Sequence, residues 1–418
     1  MENNKSLGLN IKYAMLQVMF WTSAASAYAF LTQMLQYKGF EEDQIGVLGA
    51  VKLFSTVIFQ VIIGAFSDKY SKKIPLKIII FALSVASLVL TFIFYKYKLS
   101  FGSMILLFIG FGATFTCISP LIDSLSVMYM DNGRRINYPL GRAAGSFAWA
   151  VACVLFGIFC DRYGANNLLI LQMVFVFCMS IAALIMDRTD TASHSDADCN
   201  GEVIKGSSGE SSCPDNDIDS KVHTSWYLIS RYQKYLWFLI GSAVMFMGYN
   251  VGTTFLINVF ERLGGNNFHF GMAEFVLAIS EVPSAFILIK FRKKISLDKL
   301  MLCCSIFMTM KNMFAAFSGS IVVLIISQSC EMLGFGLFYS GSVYLIEEML
   351  PHADIVKGMS LINAFTVGIG EGIGSLICGW INSRYGLTTL MNISVIISTI
   401  SIICILRMCR VKNRLPDK

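Results

Sequence analysis

The sequence predicts an all-α membrane protein of twelve transmembrane helices, arranged as two six-helix pseudo-symmetric bundles. Three observations predict it. The 418 residues are 55% hydrophobic and only 14% charged, with a mean hydropathy of +0.64, whereas soluble domains are about 45–50% apolar and about 25% charged. Apolar segments of about 20 residues, enough to cross a bilayer, recur along the whole chain. One polar stretch divides those segments six and six, and short motifs repeat across it.

The spans fall over 13–35, 44–66, 75–97, 101–130, 137–161, 167–187, 235–260, 268–290, 299–319, 321–348, 357–382 and 388–408. Helices are expected because lipid offers no partner for a backbone amide, so each span must satisfy its own. The first apolar segment continues as a full span without a small-residue cleavage site, so it reads as a helix and not as a signal peptide.

The net charge of +6 is no nucleic-acid signal, because the cations sit in short loops. Lys69, Lys72 and Lys73, then Arg134 and Arg135, then Arg292, Lys293 and Lys294, then Arg407, Arg410 and Lys412 all fall on one side of an even-numbered topology. The positive-inside rule makes that side the cytoplasm, with both termini, in a cell inner membrane. Most of the 12 cysteines lie within spans, as Cys153, Cys303, Cys304 and Cys378 do. Without metal-ligand spacing they read as small apolar filler, and no metal or cofactor is expected.

From about Asp187 to Ser225 the chain is rich in Ser, Asp, Gly and Glu, a composition too polar to bury a core. The organisation expected is an N-terminal bundle (1–187), a cytoplasmic linker (188–232) and a C-terminal bundle (233–418). The bundles repeat each other. "CDRYGANNLL" at 160–169 matches "NSRYGLTTLM" at 382–391, and "KKIPL" at 72–76 matches "KKISL" at 293–297, offsets of about 222 residues. A parallel duplication of this kind places a central cavity between its halves.

"GAFSDKYSKK" at Gly64–Lys73, joining the second and third spans, resembles the loop signature of the major facilitator superfamily. The resemblance implies the major facilitator fold. It also implies a gating loop in which Gly64 permits close helix approach while Asp68, Lys72 and Lys73 hold the gate through charge-assisted bonds. A finer likeness is to the lactose-permease-like branch of oligosaccharide, nucleoside and phenylpropionate proton symporters. It rests on "SPLIDSLS" in the fourth span, "YPLGRAAGSFAWA" opening the fifth, "AISEVPSAF" in the eighth and "SQSCEMLGFGLF" in the tenth. The first span, "WTSAASAYAFLTQML", lacks the pattern usual in that branch.

Charged side chains at membrane depth cost several kcal/mol each, about 2.5–3.5 on insertion scales, and so mark function. Asp123 and Arg142 lie at similar depth on consecutive antiparallel helices. A carboxylate that accepts and a guanidinium that donates can clamp neighbouring hydroxyls of a solute. By the resemblance, Asp123, three residues after Pro120, takes the place of the acidic sugar ligand, Arg142 that of the essential arginine, and Trp149 that of the aromatic residue that stacks on the sugar ring. The rival reading of Asp123 and Arg142 is an ion pair that pins two helices.

Glu281, Lys311, Glu331 and Glu371 fall near the midplane of spans eight to eleven. Three acids sharing one cation leave excess negative charge, which a proton would relieve. The resemblance makes Glu281 the acid linking solute to proton and Lys311 the ninth-span cation. The tenth span departs from it: Glu331 stands where lactose permease has a histidine, and Gly334 where it has its proton-binding carboxylate. The rival is a structural salt bridge between Lys311 and one glutamate. Gly368, Gly370, Gly372 and Gly374 sit inside a span and read as helix-packing residues.

The function implied is import of a small polar solute (a sugar, oligosaccharide or nucleoside) with protons, by alternating access, in a lipid-embedded monomer. Glu281 and Glu331 are candidates for both solute and proton, Lys311 and Glu371 for proton coupling. Rival readings are a drug or metabolite exporter of the same fold and a transport-inactive sensor or scaffold. No paired aspartates, metal cluster or Ser/His pair in the spans suggests an enzyme.

Overall fold

The computed structural model describes residues 2–70, 73–132, 134, 136–187, 225–292, 294–351 and 354–411. The described chain is helical, and its helices cross a membrane-sized slab twelve times. The crossings are α1 (Leu7–Ala29, continued by Leu31–Tyr37 across a 52° bend), α2 (Glu42–Tyr70), α3 (Leu76–Lys96), α4 (Phe101–Asp131), α5 (Tyr138–Tyr163), α6 (Ala165–Ile185), α7 (Gln233–Arg262), α8 (Asn267–Phe291), α9 (Leu297–Phe317) and α10 (Ile321–Met349). The last helical run, Ile355–Arg410, holds 56 residues. At 1.5 Å per residue it would be about 84 Å long, far beyond a hydrocarbon core of about 30 Å. It reverses at Gly386, where φ is 78° and ψ 170°, a conformation that glycine adopts without steric cost. The run is therefore two crossings, α11 (355–385) and α12 (387–410).

Several crossings are interrupted near their middle. In α1 a π-helical stretch, Ala25–Ala29, precedes the bend. In α4 the helix breaks at Thr114, and Pro120 follows within the next two turns. In α10 a 3₁₀ stretch, Gln328–Met332, leads to Gly334, and in α11 a π-helical stretch spans Ala364–Glu371. Broken backbone at membrane depth survives only where it is covered by protein or lines a cavity.

The expected repeat is present in space. Thr32 Oγ1 donates to the carbonyl of Thr254 at 2.7 Å, and Gln36 Nε2 to Asn258 Oδ1 at 3.4 Å, both pairs separated by 222 residues. These contacts join residues one repeat offset apart across the two halves. The linker expected over 188–232 lies largely outside the described residues. At its end a short helix, Ser225–Arg231, brings Leu228 and then Tyr232 into the core of the C-terminal bundle.

The halves are joined at one end. The larger apolar core contains α1–α6 together with Val251–Phe260 of α7, Phe270 and Ala273 of α8, and Cys378 and Ile381 of α11. The smaller core is confined to α7–α12 and the preceding helix. At the joined end α2 packs on α11 and α5 on α8 through glycines. A Cβ on Gly46 would lie 2.5 Å from the Ser375 carbonyl and 2.8 Å from Gly379 Cα; Gly49 faces the Ser375 side chain, Gly157 faces Asn267 and Phe268, and Gly271 faces Cys153. Gly46 and Gly49 of α2 are the repeat counterparts of Phe268 and Gly271 of α8. The two seams are thus one contact made twice. At the other end, where the basic loops lie, the described ion pairs stay within one half: Lys12 and Arg134 on Asp187, and Lys234 on Asp298.

Candidate functional site

Each half carries an aromatic wall beside the charged residues at membrane depth. In the N-terminal half it is made by the half-buried Trp21, Tyr28 and Trp149, packed on the buried Phe20 and Phe115. Trp21 meets Trp149 edge-on at 6.0 Å, Phe20 stacks on Phe115 at 5.4 Å, and Tyr28 lies 6.4 Å from Trp149. From the C-terminal half come Tyr249, Phe335 and Tyr339, with centroids 5.6 Å and 4.6 Å apart in sequence around the cluster.

Asp123 and Arg142 are both half-buried but do not form a contact ion pair. Asp123 instead accepts from Gln17 Nε2 at 3.2 Å, while the Arg142 guanidinium lies 4.2 Å from the Trp21 ring and donates to Ser146 Oγ at 3.2 Å. Trp21 Nε1 in turn donates to Gln17 Oε1 at 3.0 Å. One turn of α1, Gln17 to Trp21, therefore holds the acid and the base apart, each with bonding capacity left for a solute. A structural pin between the two helices would have brought their side chains into direct contact.

The acids form two groups. Lys311 Nζ lies 2.7 Å from Glu331 Oε2, with 3% and 0% of the two side chains exposed, and 4.8 Å from the Tyr249 ring. The second oxygen, Glu331 Oε1, is buried without a partner. Glu281 lies within electrostatic reach of Glu331, Arg142, Lys311 and Glu274. Glu274, two turns before Glu281 on α8, lies within reach of the Trp149 side chain from the opposite half. Tyr249 lies within electrostatic reach of Glu331, Glu274, Glu281 and Glu371.

Glu371 does not share Lys311 as the sequence count suggested. The cation within its electrostatic reach is Lys52 of α2, which makes no contact ion pair with it and whose Nζ lies 4.8 Å from the Tyr28 ring. The correction follows from topology: α11 packs on α2 of the other half, and Lys52 reaches the same depth from there. Sequence reading missed both Lys52 and Glu274. They are repeat counterparts, each three residues after a seam glycine, in "GAVK" at 49–52 and "GMAE" at 271–274. Aligning the repeats through the second and eighth spans would have found them.

The loop after α2 departs from expectation at one residue. A Cβ on Gly64 would meet nothing within 4 Å, so the close approach assigned to it is not made; it lies at the end where the halves stand apart. Lys73 is exposed, its backbone amide bonded to the Tyr70 carbonyl at 2.9 Å, and Asp68 is exposed on the last turn of α2. Lys72 lies outside the described residues. Outside the membrane, the hydrogen bond from Lys12, with the charges of Lys12 and Arg134, holds the Asp187 carboxyl below the usual carboxylate range against the opposing effect of desolvation.

The nucleoside transporter NupG has the same fold, with a TM-score of 0.78, 15% identity and coverage of 97% of this chain and 100% of that one; a NupG mutant gives 0.79 at 12% identity over 96% and 99%. A bacterial homologue of the human lysosomal transporter Spinster, inward-facing and unoccupied, matches at a TM-score of 0.68 and 13% identity, covering 97% of each chain. No curated protein sequence matches significantly. The sequence fits the MFS_1-like family profile over residues 10–393. That match covers every crossing up to the first turns of α12, and with it both aromatic walls, both seams and all the buried charges: the chain belongs to the MFS_1-like family, and is a transporter of the major facilitator fold.

Proposed function

We propose that the chain imports a small polar solute, a nucleoside or a sugar, together with protons. The observation that carries this reading is the buried Lys311–Glu331 pair over Tyr249, with Glu274, Glu281 and Glu371 within electrostatic reach of that ring, together with an N-terminal wall that offers a separated Asp123 and Arg142. Aromatic faces on both sides suit the flat surface of a nucleobase or the C–H face of a sugar. The acid and guanidinium suit adjacent hydroxyls. Glu274, Glu281 and Glu371 beside the buried Lys311–Glu331 pair add negative charge that the neighbouring cations do not fully offset, and a bound proton relieves it. The open end carries Lys69, Lys73, Arg134, Arg292 and Lys294, which the positive-inside rule places in the cytoplasm. The shared fold with nucleoside transporters makes uridine the first solute to try.

The test uses purified protein in vesicles with an imposed pH gradient, with labelled uridine, lactose and melibiose as probes. Accumulation against a concentration gradient is expected for at least one probe and is lost when the pH gradient is collapsed. Glu281→Gln should stop that accumulation. Accumulation driven equally well by a sodium gradient at uniform pH, or unchanged in Gln variants of Glu281, Glu331 and Glu371 alike, overturns proton coupling through these residues.

A further inference from the structure

The two seams carry an unlike pair of polar contacts at like positions. Along the α2–α11 seam the order from the joined end is Gly46 against Gly379, then Gly49 against Ser375, then Lys52 within electrostatic reach of Glu371, at the level where Gly372 faces Phe54 and Gly368 faces Val57. Along the α5–α8 seam the order is Gly157 against Phe268, then Cys153 against Gly271, then Trp149 within reach of Glu274. Each residue in the first series has its repeat counterpart in the second: Lys52 answers to Glu274, and Glu371 to Trp149. The fold thus places one couple from each half one turn inside each glycine contact. On one seam the couple is a neutral indole and an acid; on the other it is a cation and an acid.

Backbone irregularity converges on the charged couple. Glu371 closes the π-helical stretch Ala364–Glu371, and the ring under Lys52 belongs to Tyr28, within the π-helical stretch Ala25–Ala29. Such stretches inside α-helices recur at functional sites. The titratable groups within electrostatic reach of Glu371 are Lys52 on α2, Tyr249 on α7 and Tyr339 on α10. Of these only Lys52 is a cation, and only Lys52 belongs to the other half.

That placement distinguishes the couple from the Lys311–Glu331 pair. Lys311 and Glu331 both lie in the C-terminal half, so a rigid rocking of the halves leaves their contact intact. Lys52 and Glu371 lie on opposite halves beside the closed seam, so the same rocking separates them. A carboxylate left in the seam without its cation is offset by a proton.

We infer that Lys52 is a coupling residue of this transporter: it neutralises Glu371 while the seam is closed and gives it up to a proton when the seam opens, so that opening of this end depends on pH. The inference extends the proton-symport reading, but it concerns the seam and not the solute, and it can be tested without one.

The test is hydrogen–deuterium exchange of the full chain in lipid nanodiscs, read in segments 32–49 and 254–271 and corrected for intrinsic exchange. In the wild type, protection of these segments should fall as pH is lowered from about 8.5 to about 5.5, by up to tenfold in the opening equilibrium for each unit over which Glu371 titrates. Lys52→Gln and Glu371→Gln should each abolish that pH response, and Lys52→Arg should retain it. Should Lys52→Gln fail to fold, Glu371→Gln decides alone. A seam whose protection keeps the wild-type pH dependence in Glu371→Gln overturns the inference, as does a wild type with no pH dependence. If the seam responds as expected while no probe is driven by the pH gradient, the inference stands and symport falls. If uptake is proton-driven and the seam variants respond like wild type, the inference alone falls.

Discussion

The Asp161 carboxylate at the end of α5 caps Asn267 from across the molecule. It accepts from the Asn267 backbone amide at 3.1 Å, from the Asn267 side-chain amide at 2.9 Å, and from the Phe268 amide at 3.0 Å. The first amides of a helix have no partner within it, and a carboxylate there also meets the positive end of the helix dipole. This cap is supplied by the opposite half, so it exists only while the joined end is closed. Asp161→Ala should favour the state open at that end by about 1–2 kcal/mol, roughly five- to thirtyfold. Faster labelling of a cysteine placed at Gln36 by a membrane-impermeant reagent is the readout; unchanged labelling would show that the cap does not hold the seam.

The glycine seams should tolerate no side chain. A Cβ at Gly46 meets backbone atoms at 2.5–2.8 Å, and backbone cannot move aside as a flexible side chain can. Gly46→Val and Gly157→Val should leave each half folded yet bar closure of this end. Their melting temperatures should stay within a few degrees of wild type while the Gln36 cysteine label becomes accessible. Gly64→Val, which meets no neighbour here, should show neither effect in this state.

Lys311 and Glu331 should be costly to separate. Lys311→Ala leaves a fully buried carboxylate without its cation, worth about 3–5 kcal/mol of destabilisation. Lys311→Ala combined with Glu331→Gln should recover much of that loss, because the uncompensated charge is gone. Thermal unfolding in detergent checks both. A double variant as unstable as Lys311→Ala would mean that packing, and not charge, explains the loss.

The wall residues should matter to binding and not to folding. Asp123→Ala frees Gln17, which keeps its bond to the Tyr13 hydroxyl at 2.9 Å, so the protein should fold normally. It should lose the stabilisation that a bound solute gives, about 2.7 kcal/mol at a hundredfold excess over Kd. Trp149→Phe keeps a ring but removes the indole N–H that lies within reach of Glu274, and should weaken binding less than Trp149→Ala. Equal affinity in wild type and Asp123→Ala would remove Asp123 from the site.

Asp187 gives a prediction in pH. Its folded-state value lies below the ordinary one, so its contribution is fully present above the unfolded value, about 3.9, and is lost as pH falls through the folded value. The carboxylate is partly exposed, so the contribution is small, about 0.2–1 kcal/mol. Asp187→Asn should therefore lower the melting temperature slightly at pH 7. The difference from wild type should vanish in strong acid.

The crossings were legible because lipid imposes one rule on each of them, and length and hydropathy express it directly. The repeat was legible in its loops, where "DRYG" and "SRYG" differ by one residue. Asp123, Arg142 and Glu281 were legible as charges at depth. Their partners were not, because partner choice is set by packing between helices distant in sequence. Gln17 and Trp21 match no pattern yet separate Asp123 from Arg142. Lys52 reads as one cation in an apolar run until α11 is laid beside α2. Gly386 reads as a loop residue, and only its backbone angles reveal that a single residue turns the chain.

The shared core has a consequence for how the protein is made. Residues of α7, α8 and α11 complete the apolar cluster built by α1–α6, so the first six helices leave the translocon with a glycine-ridged face that nothing yet covers. An N-terminal fragment ending near Asp187 should accordingly be degraded when synthesised alone. It should be rescued by co-synthesis of a fragment beginning near Ser225, which brings its own second core with it.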